Sequence, residues 1–367
     1  MPPASDDAAL PLVPPPLLKG RGTSSNPANR FEHQHSVAVD DGWGSALEDK
    51  PAPKTTVTPD TSRTVIARND SPDIPFDQSL NPYRGCEHGC VYCFARPTHA
   101  WLGLSPGLEF ETKLLAKRDA ARLLEKALRR PGYRCQVLVL GSNTDPYQPI
   151  ERQERITRSV LEVLAAFQHP VAIITKSALV TRDLDLLAPM AAAGLASVGV
   201  SITTLEPSLA RTLEPRAASP QRRLDTIRQL AAAGVPSAVL ASPMIPGLND
   251  HELERILEAA AEAGATTASM LLLRLPLETK DLMEEWLATH APLARDRVLS
   301  LIRQTRNGRL NDPEFGTRFR GTGPYADQLQ HRFRLATKRL GLAKRPWTHD
   351  TTQFRPPPAP GDQLSLL

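Results

Sequence analysis

Six short apolar runs, each separated from the next by a helical stretch, constrain this chain more than any other feature. The first run leads into "LNPYRGC" (80–86). The others are "CQVLVLGS" (135–142), "VAIITK" (171–176), "ASVGVSITT" (196–204), "VPSAVLASPMIPG" (235–247) and "TASMLLLRLP" (267–276). Between them lie "KRDAARLLEKALRR" (117–130), "ERITRSVLEVLAAF" (154–167), "RDLDLLAPMAAAG" (182–194), "PQRRLDTIRQLAAAG" (220–234) and "DHELERILEAAAEAG" (250–264). These carry apolar residues at helical spacing, with Asp250 expected as an N-cap. Strands that read as continuous apolar runs are buried on both faces, which calls for a parallel sheet covered by helices. Right-handed crossovers then curl six βα units into an α/β fold, a partial (β/α)6 TIM-like barrel. Chemistry in such folds sits at the C-terminal ends of the strands.

The cysteines sit at that end. Cys86, Cys90 and Cys93 occupy "NPYRGCEHGCVYCFARP" (81–97), three of the four cysteines in 367 residues. The N-terminus lacks the layout of a signal peptide and no apolar run approaches bilayer length, so a cytoplasmic protein without a membrane segment is expected. Thiols stay reduced there, and clustered cysteines argue for metal. Two readings stand. A zinc site needs a fourth ligand, for which His88 and His99 are candidates. A [4Fe–4S] cluster held by three thiolates leaves one iron open. Cys135 begins the second strand, at the opposite end, and reads as a small buried hydrophobe.

Composition divides the rest. Residues 1–60 are rich in Pro, Ser, Asp and Gly and read as a largely disordered extension, with "GRGTSSNPANRFE" (20–32) too specific for plain linker. Residues 61–293 form the core, 294–348 a basic helical region, and 349–367 a flexible Pro-rich tail ending in "QLSLL". Net charge is only +4, but 318–345 holds eight Lys or Arg and one acid, Asp327. That stretch is either a solvated helical face or a contact surface for nucleic acid.

A C-x3-C-x2-C loop after the first strand of a partial βα barrel, with Tyr92 before the last cysteine, resembles the radical S-adenosylmethionine (SAM) superfamily. The resemblance covers about residues 79–289. It implies that Cys86, Cys90 and Cys93 hold a [4Fe–4S] cluster and that SAM chelates the open iron. It implies reductive cleavage of SAM to a 5′-deoxyadenosyl radical that abstracts hydrogen from a substrate, with an electron donor of flavodoxin or ferredoxin type. If SAM binds here, later strand ends supply its partners. Gly141 permits close backbone approach, and Asp145 is a candidate for the SAM ammonium unless Asp145-Pro146 is a plain turn. Ser201 is placed for the ribose, and Lys176 points at the same end. Glu214 and Arg216 are candidates for the ribose hydroxyls and the methionine carboxylate, against a plain surface ion pair. Met244, Ile245 and Gly247, in "PMIPGLND", resemble the family motif whose backbone contacts adenine.

Within the superfamily, the stretches around the cysteines and "NTDPYQPIE" resemble a bacterial group of spore-photoproduct-lyase-like, or DNA repair photolyase, proteins. Spore photoproduct lyase returns a hydrogen atom from a cysteine near the second strand tip; here Ser142 and Asn143 stand there, without a thiol. That argues against the same repair route and leaves Tyr147 and Tyr325 as candidate substitutes. Two substrate classes remain, nucleic acid and protein or small molecule. A non-enzymatic zinc-binding interaction protein is the third reading. Residues Gln363 to Leu367 resemble the pentapeptide by which repair proteins bind the DNA sliding clamp.

Overall fold

The computed structural model describes residues 18–32, 53–342 and 348–358. The described residues hold ten strands: β1 (Thr56–Pro59), β2 (Ala67–Arg68), β3 (Gln78–Leu80), β4 (Tyr83–Arg84), β5 (Lys113–Ala116), β6 (Leu138–Leu140), β7 (Val171–Thr175), β8 (Ala196–Ser201), β9 (Ser237–Met244) and β10 (Thr267–Leu272). Seven of them form one sheet in the order β10-β9-β8-β7-β6-β3-β2. The six from β3 to β10 are the expected runs; each pairs in parallel with the next, and β2 closes the edge antiparallel to β3. Sequential order with parallel neighbours is the arrangement a partial βα barrel requires.

Helices Ala120–Leu128, Ile156–Ala166, Leu184–Ala192, Pro220–Ala232 and Leu253–Glu262 fill the five crossovers. Their buried faces and the strands share one apolar core, and β8 is buried at every position. The helix expected to begin at Asp250 starts instead at Leu253, after a short 3-10 turn. Asp250 is not its cap, because its carboxylate accepts bonds from Gly247 N–H and the Tyr325 hydroxyl. No helix among the described residues is long and apolar enough to cross a membrane.

Three segments depart from the compositional reading. Within the 1–60 extension, β1 pairs with β5, and β5 with β4, in a second small sheet. Residues 18–32 of the same extension lie over the cysteine loop: Leu108 N–H donates to Ser25 O at 3.0 Å, and Arg30 reaches Pro97 O at 3.1 Å. In the tail, Phe354 packs against Tyr133, Phe167 and His169, while Arg355 N–H donates to Phe167 O at 2.9 Å. Composition counts Pro and polar residues over a window; one well-placed ring or carboxylate is enough to dock such a segment. The basic region forms helices Arg295–Gln304 and Gly323–Arg339. Its charge is partly used internally, with Arg318 paired to Asp73, Arg332 to Glu254 and Arg339 to Glu258. The QLSLL motif lies outside the described residues.

Candidate functional site

The cysteine loop leaves β4 as a chain of tight turns. Cys86 N–H is anchored on Phe110 O at 3.0 Å; Gly89 N–H donates to Cys86 O, Cys93 N–H to Cys90 O and Arg96 N–H to Cys93 O, at 3.4, 3.2 and 3.2 Å. Cys86 and Cys90 are buried and Cys93 is partly so. Cys93 packs against two apolar groups, a small one of Cys86, Ala95 and Phe110 and a larger one that includes Cys90, Val91, Tyr92 and Ile245. Cys93 therefore links the surroundings of Cys86 to those of Cys90. Burial pushes each of them above the ordinary thiol range, and for Cys86 and Cys90 the neighbouring acids and thiols add to the effect.

The fourth ligand that a zinc ion needs is not offered by either candidate histidine. Among the described residues no three His, Cys, Asp or Glu side chains converge closely enough to hold one ion. The two candidate fourth ligands have other partners: His88 Nδ1 lies 3.3 Å from Asp145 Oδ2, and His99 Nε2 lies 2.9 Å from Lys113 O. Three buried or partly buried thiols in one loop are the donor set that an iron–sulfur cluster takes.

Beneath the loop a buried polar network joins it to the ends of β7, β8 and β9. The Tyr92 hydroxyl donates to Glu214, which also accepts from Thr203 Oγ1 at 2.6 Å and pairs with Arg223. Lys176 Nζ stands 3.3 Å from Glu214 and donates to Ser201 Oγ at 2.5 Å. Burial, with the Arg223 charge adding, lowers the Lys176 ammonium to about 8 against the opposing pull of Cys90. Main-chain bonds add two stitches, Val91 N–H to Leu213 O at 3.0 Å and Arg216 N–H to His88 O at 3.2 Å.

The sequence profile of the Radical SAM superfamily matches residues 80–260. An uncharacterized protein of Mycobacterium tuberculosis is 39% identical over 233 residues, 63% of this chain and 68% of that protein. The chain belongs to the radical SAM superfamily. GTP 3′,8-cyclase of Streptomyces coelicolor is 29% identical over 181 residues, 48% of this chain and 47% of that enzyme. Among solved structures, a spore photoproduct lyase variant with bound AdoMet and dinucleoside spore photoproduct superimposes with a TM-score of 0.56. That match covers 81% of this chain and 86% of the other at 16% identity, a likeness of fold.

This radical SAM protein is an enzyme whose cofactors are a [4Fe–4S] cluster and SAM. The residues read from sequence as SAM contacts all gather at the cysteine end of the sheet, yet several are engaged within the chain. Asp145 Oδ1 accepts from Tyr147 N–H and Thr175 Oγ1, each at 2.8 Å, and Oδ2 from Lys176 N–H at 2.7 Å and from His88. Its carboxylate is a positioning hub rather than a free acceptor, and the His88 charge and these bonds hold its pKa low against burial. Glu214 is likewise enclosed, while Arg216 pairs with Glu87 at 2.8 Å and stays one-third exposed. Ser201 Oγ donates to Ser242 O at 3.0 Å. Gly141 has a reason of its own. At φ +91° a Cβ there would sit 2.1 Å from Ile174 O, so the neighbouring strand already demands glycine. Met244 and Ile245 are fully buried; Met244 O accepts from Leu273 N–H, Ile245 N–H donates to Asn249 Oδ1 at 2.6 Å, and Gly247 N–H donates to Asp250.

The tyrosines proposed as hydrogen donors have other partners. Tyr147 is fully buried and donates to Asp183 at 3.0 Å, and Tyr325 donates to Asp250. Cys135 is only partly buried and precedes β6, which begins at Leu138. A cavity of about 310 Å³ lies beside it, at the N-terminal end of the sheet, lined by Arg63, Arg68, Gln78, Lys126, Arg130 and Tyr133. None of its lining residues belongs to the loop of Cys86, Cys90 and Cys93.

Sequence reasoning missed the carboxylate that holds the loop from outside. Glu111 is fully buried and accepts from Arg96 at 2.6 Å, Gly22 N–H at 2.9 Å, Thr23 N–H at 3.1 Å and Thr23 Oγ1 at 3.0 Å. Arg96 in turn donates to Cys90 O at 2.9 Å. Arg96, three residues beyond Cys93 in a motif already singled out, was the available signal.

Proposed function

We propose that this radical SAM enzyme abstracts a hydrogen atom from a nucleic-acid substrate, in a repair or modification reaction. The observation that carries the reading is the three-thiol loop at the C-terminal end of six parallel strands, in the fold of a lyase that holds AdoMet and a dinucleoside lesion. Bound cluster and SAM supply a 5′-deoxyadenosyl radical; the protein supplies position and exclusion of water. Cys86, Cys90 and Cys93 hold the iron. Tyr92, Glu214 and Lys176 tie that loop to three strand ends, so that substrate and thiols keep one geometry. Arg216 and Ser201, at the rim of the same network, are the groups assigned to SAM carboxylate and ribose.

Hydrogen return by a chain thiol is not part of the proposal, because Cys135 stands at the opposite end of the sheet. That favours an outcome other than the lyase's own repair cycle. A flavodoxin or ferredoxin would supply the electron. A sliding-clamp contact through Gln363 to Leu367 would bring the enzyme to DNA, and deleting those five residues should abolish capture on immobilised clamp.

The test is anaerobic reconstitution followed by dithionite reduction with SAM. Wild type and Cys135→Ser should show iron–sulfur absorbance and release 5′-deoxyadenosine; Cys86→Ala, Cys90→Ala and Cys93→Ala should do neither. Fully reconstituted wild type that yields no 5′-deoxyadenosine overturns the chemistry. A mass change in a peptide pool, with none in DNA or RNA, overturns the substrate class.

A further inference from the structure

A row of alternating rings and guanidinium groups leads away from the cysteine loop. It begins at Phe94, the residue after Cys93, whose side chain is 44% exposed. Arg274, just past the end of β10, lies 5.1 Å from the Phe94 ring and 5.2 Å from the Phe319 ring. Arg318 lies 4.7 Å from the other contacts of the row, the rings of Phe319 and Phe315. Phe315 ends the row at 59% exposure.

The row is built rather than incidental. Fully buried Arg306 binds both of its supports, donating to Leu272 O and Leu273 O at 3.0 and 2.8 Å and to Thr317 O and Arg318 O at 3.2 and 2.8 Å. Leu272 N–H also donates to Phe319 O at 3.0 Å. Its charge is only partly compensated, by one acid for two guanidinium groups. Asp73 pairs with Arg318 at 2.8 Å, while Arg274 has no hydrogen bond or ion pair among the described residues. Burial and the Arg318 charge hold Arg274 below the ordinary arginine pKa against the pull of Asp73, a situation a phosphate would relieve further. A second stack, Arg30 over Phe31 and Trp101, differs on this point, since Glu278 neutralises Arg30 at 3.1 Å.

We propose that Phe94, Arg274, Phe319, Arg318 and Phe315 form a track for an unpaired, single-stranded segment of nucleic acid and lead it to the cysteine loop; this rests on the nucleic-acid reading above. The exposed rings of Phe94 and Phe315 offer faces on which unstacked bases lie, and the guanidinium groups on either side of Phe319 meet the backbone phosphates. A nucleic-acid strand alternates base and phosphate as the row alternates ring and cation. Duplex DNA does not present free base faces, so the track selects single strands.

The test is fluorescence anisotropy with the full chain, cluster-reconstituted, and a fluorescein-labelled oligothymidylate of about a dozen nucleotides, a span on the order of known single-strand sites. Duplex DNA of equal length and poly-glutamate serve as comparison probes. Wild type should bind the single strand more tightly than either. Phe315→Ala, at an exposed position, should weaken it about tenfold through lost stacking. Arg274→Gln should weaken it similarly and flatten the slope of log affinity against log salt by about 0.7, while Arg274→Lys keeps that slope. Tight single-strand binding that none of these variants changes overturns the track and leaves the nucleic-acid reading standing. Wild type that binds no nucleic acid overturns both, and equal binding of poly-glutamate replaces the occupant with an acidic peptide.

Discussion

At the scale of residues, the site is held by two buried carboxylates on opposite sides of the cysteine loop. Glu111 ties the loop to residues 22 and 23, and Glu214 ties Tyr92 to Arg223 and Lys176. Removing one partner of a buried pair leaves an uncompensated charge, which typically costs about 3 kcal/mol or more. Glu214→Gln should therefore lower unfolding stability by about 3 kcal/mol, because Arg223 loses its counter-ion at a site of 2% exposure. Urea denaturation of the cluster-free protein measures it. Tyr92→Phe removes a hydroxyl from a partner that keeps its other donors, and should cost about 1 kcal/mol. Equal losses from the two variants would mean that Glu214 acts only through Tyr92. The same scale explains why Asp145 and Gly141 were legible as important while the contacts they make within the chain were not. Their positions at a strand tip are written in the sequence, whereas the donors that surround Asp145 come from three separate segments.

At the scale of elements, the segment 18–32 shows how little regular structure is needed to dock. It holds no helix or strand, yet Gly22 approaches Gly89 so closely that a Cβ would lie 1.6 Å from the Gly89 carbonyl oxygen. Gly22→Ala should separate the segment from the cysteine loop. Trypsin should then cleave after Arg21 and Arg30 well before it attacks the core, whereas wild type should resist at both positions; equal cleavage rates would sink the docking role. The C-terminal helix Gly323–Arg339 is the counterpart beside helix Leu253–Glu262 and the edge strand β10. Arg332 binds Glu254 through two bonds, at 2.8 and 2.6 Å, so part of its positive charge is a packing device. Charge counts along a sequence cannot separate these arginines from Arg334 and Lys338, which remain exposed.

At the scale of the whole molecule, the sheet has a chemical end and a structural end. The structural end is closed by Phe354 and by His169, whose Nδ1 lies 3.0 Å from Pro170 O and whose Nε2 lies 2.9 Å from the Tyr133 hydroxyl. Burial lowers the His169 ring to about 4, against about 6.5 in an unfolded chain. Between those values the unfolded chain binds a proton that the folded chain refuses, so stability is full above pH 6.5 and falls with pH through the window. By pH 5 the loss from this residue should reach about 2 kcal/mol. Melting curves of wild type and His169→Gln between pH 7.5 and 5 should converge by that amount, and parallel curves would remove His169 from the account. What the sequence determined alone was the periodic and the local: six apolar runs, the helices between them, and three cysteines at one strand end, because side-chain period and loop spacing are properties of neighbouring residues. Tertiary structure alone decided the rest. Glu111 finding Gly22, Arg306 joining β10 to the loop after it, and Phe354 reaching His169 each bring together segments about 30 to 190 residues apart, and closing such loops costs entropy that only the assembled core repays.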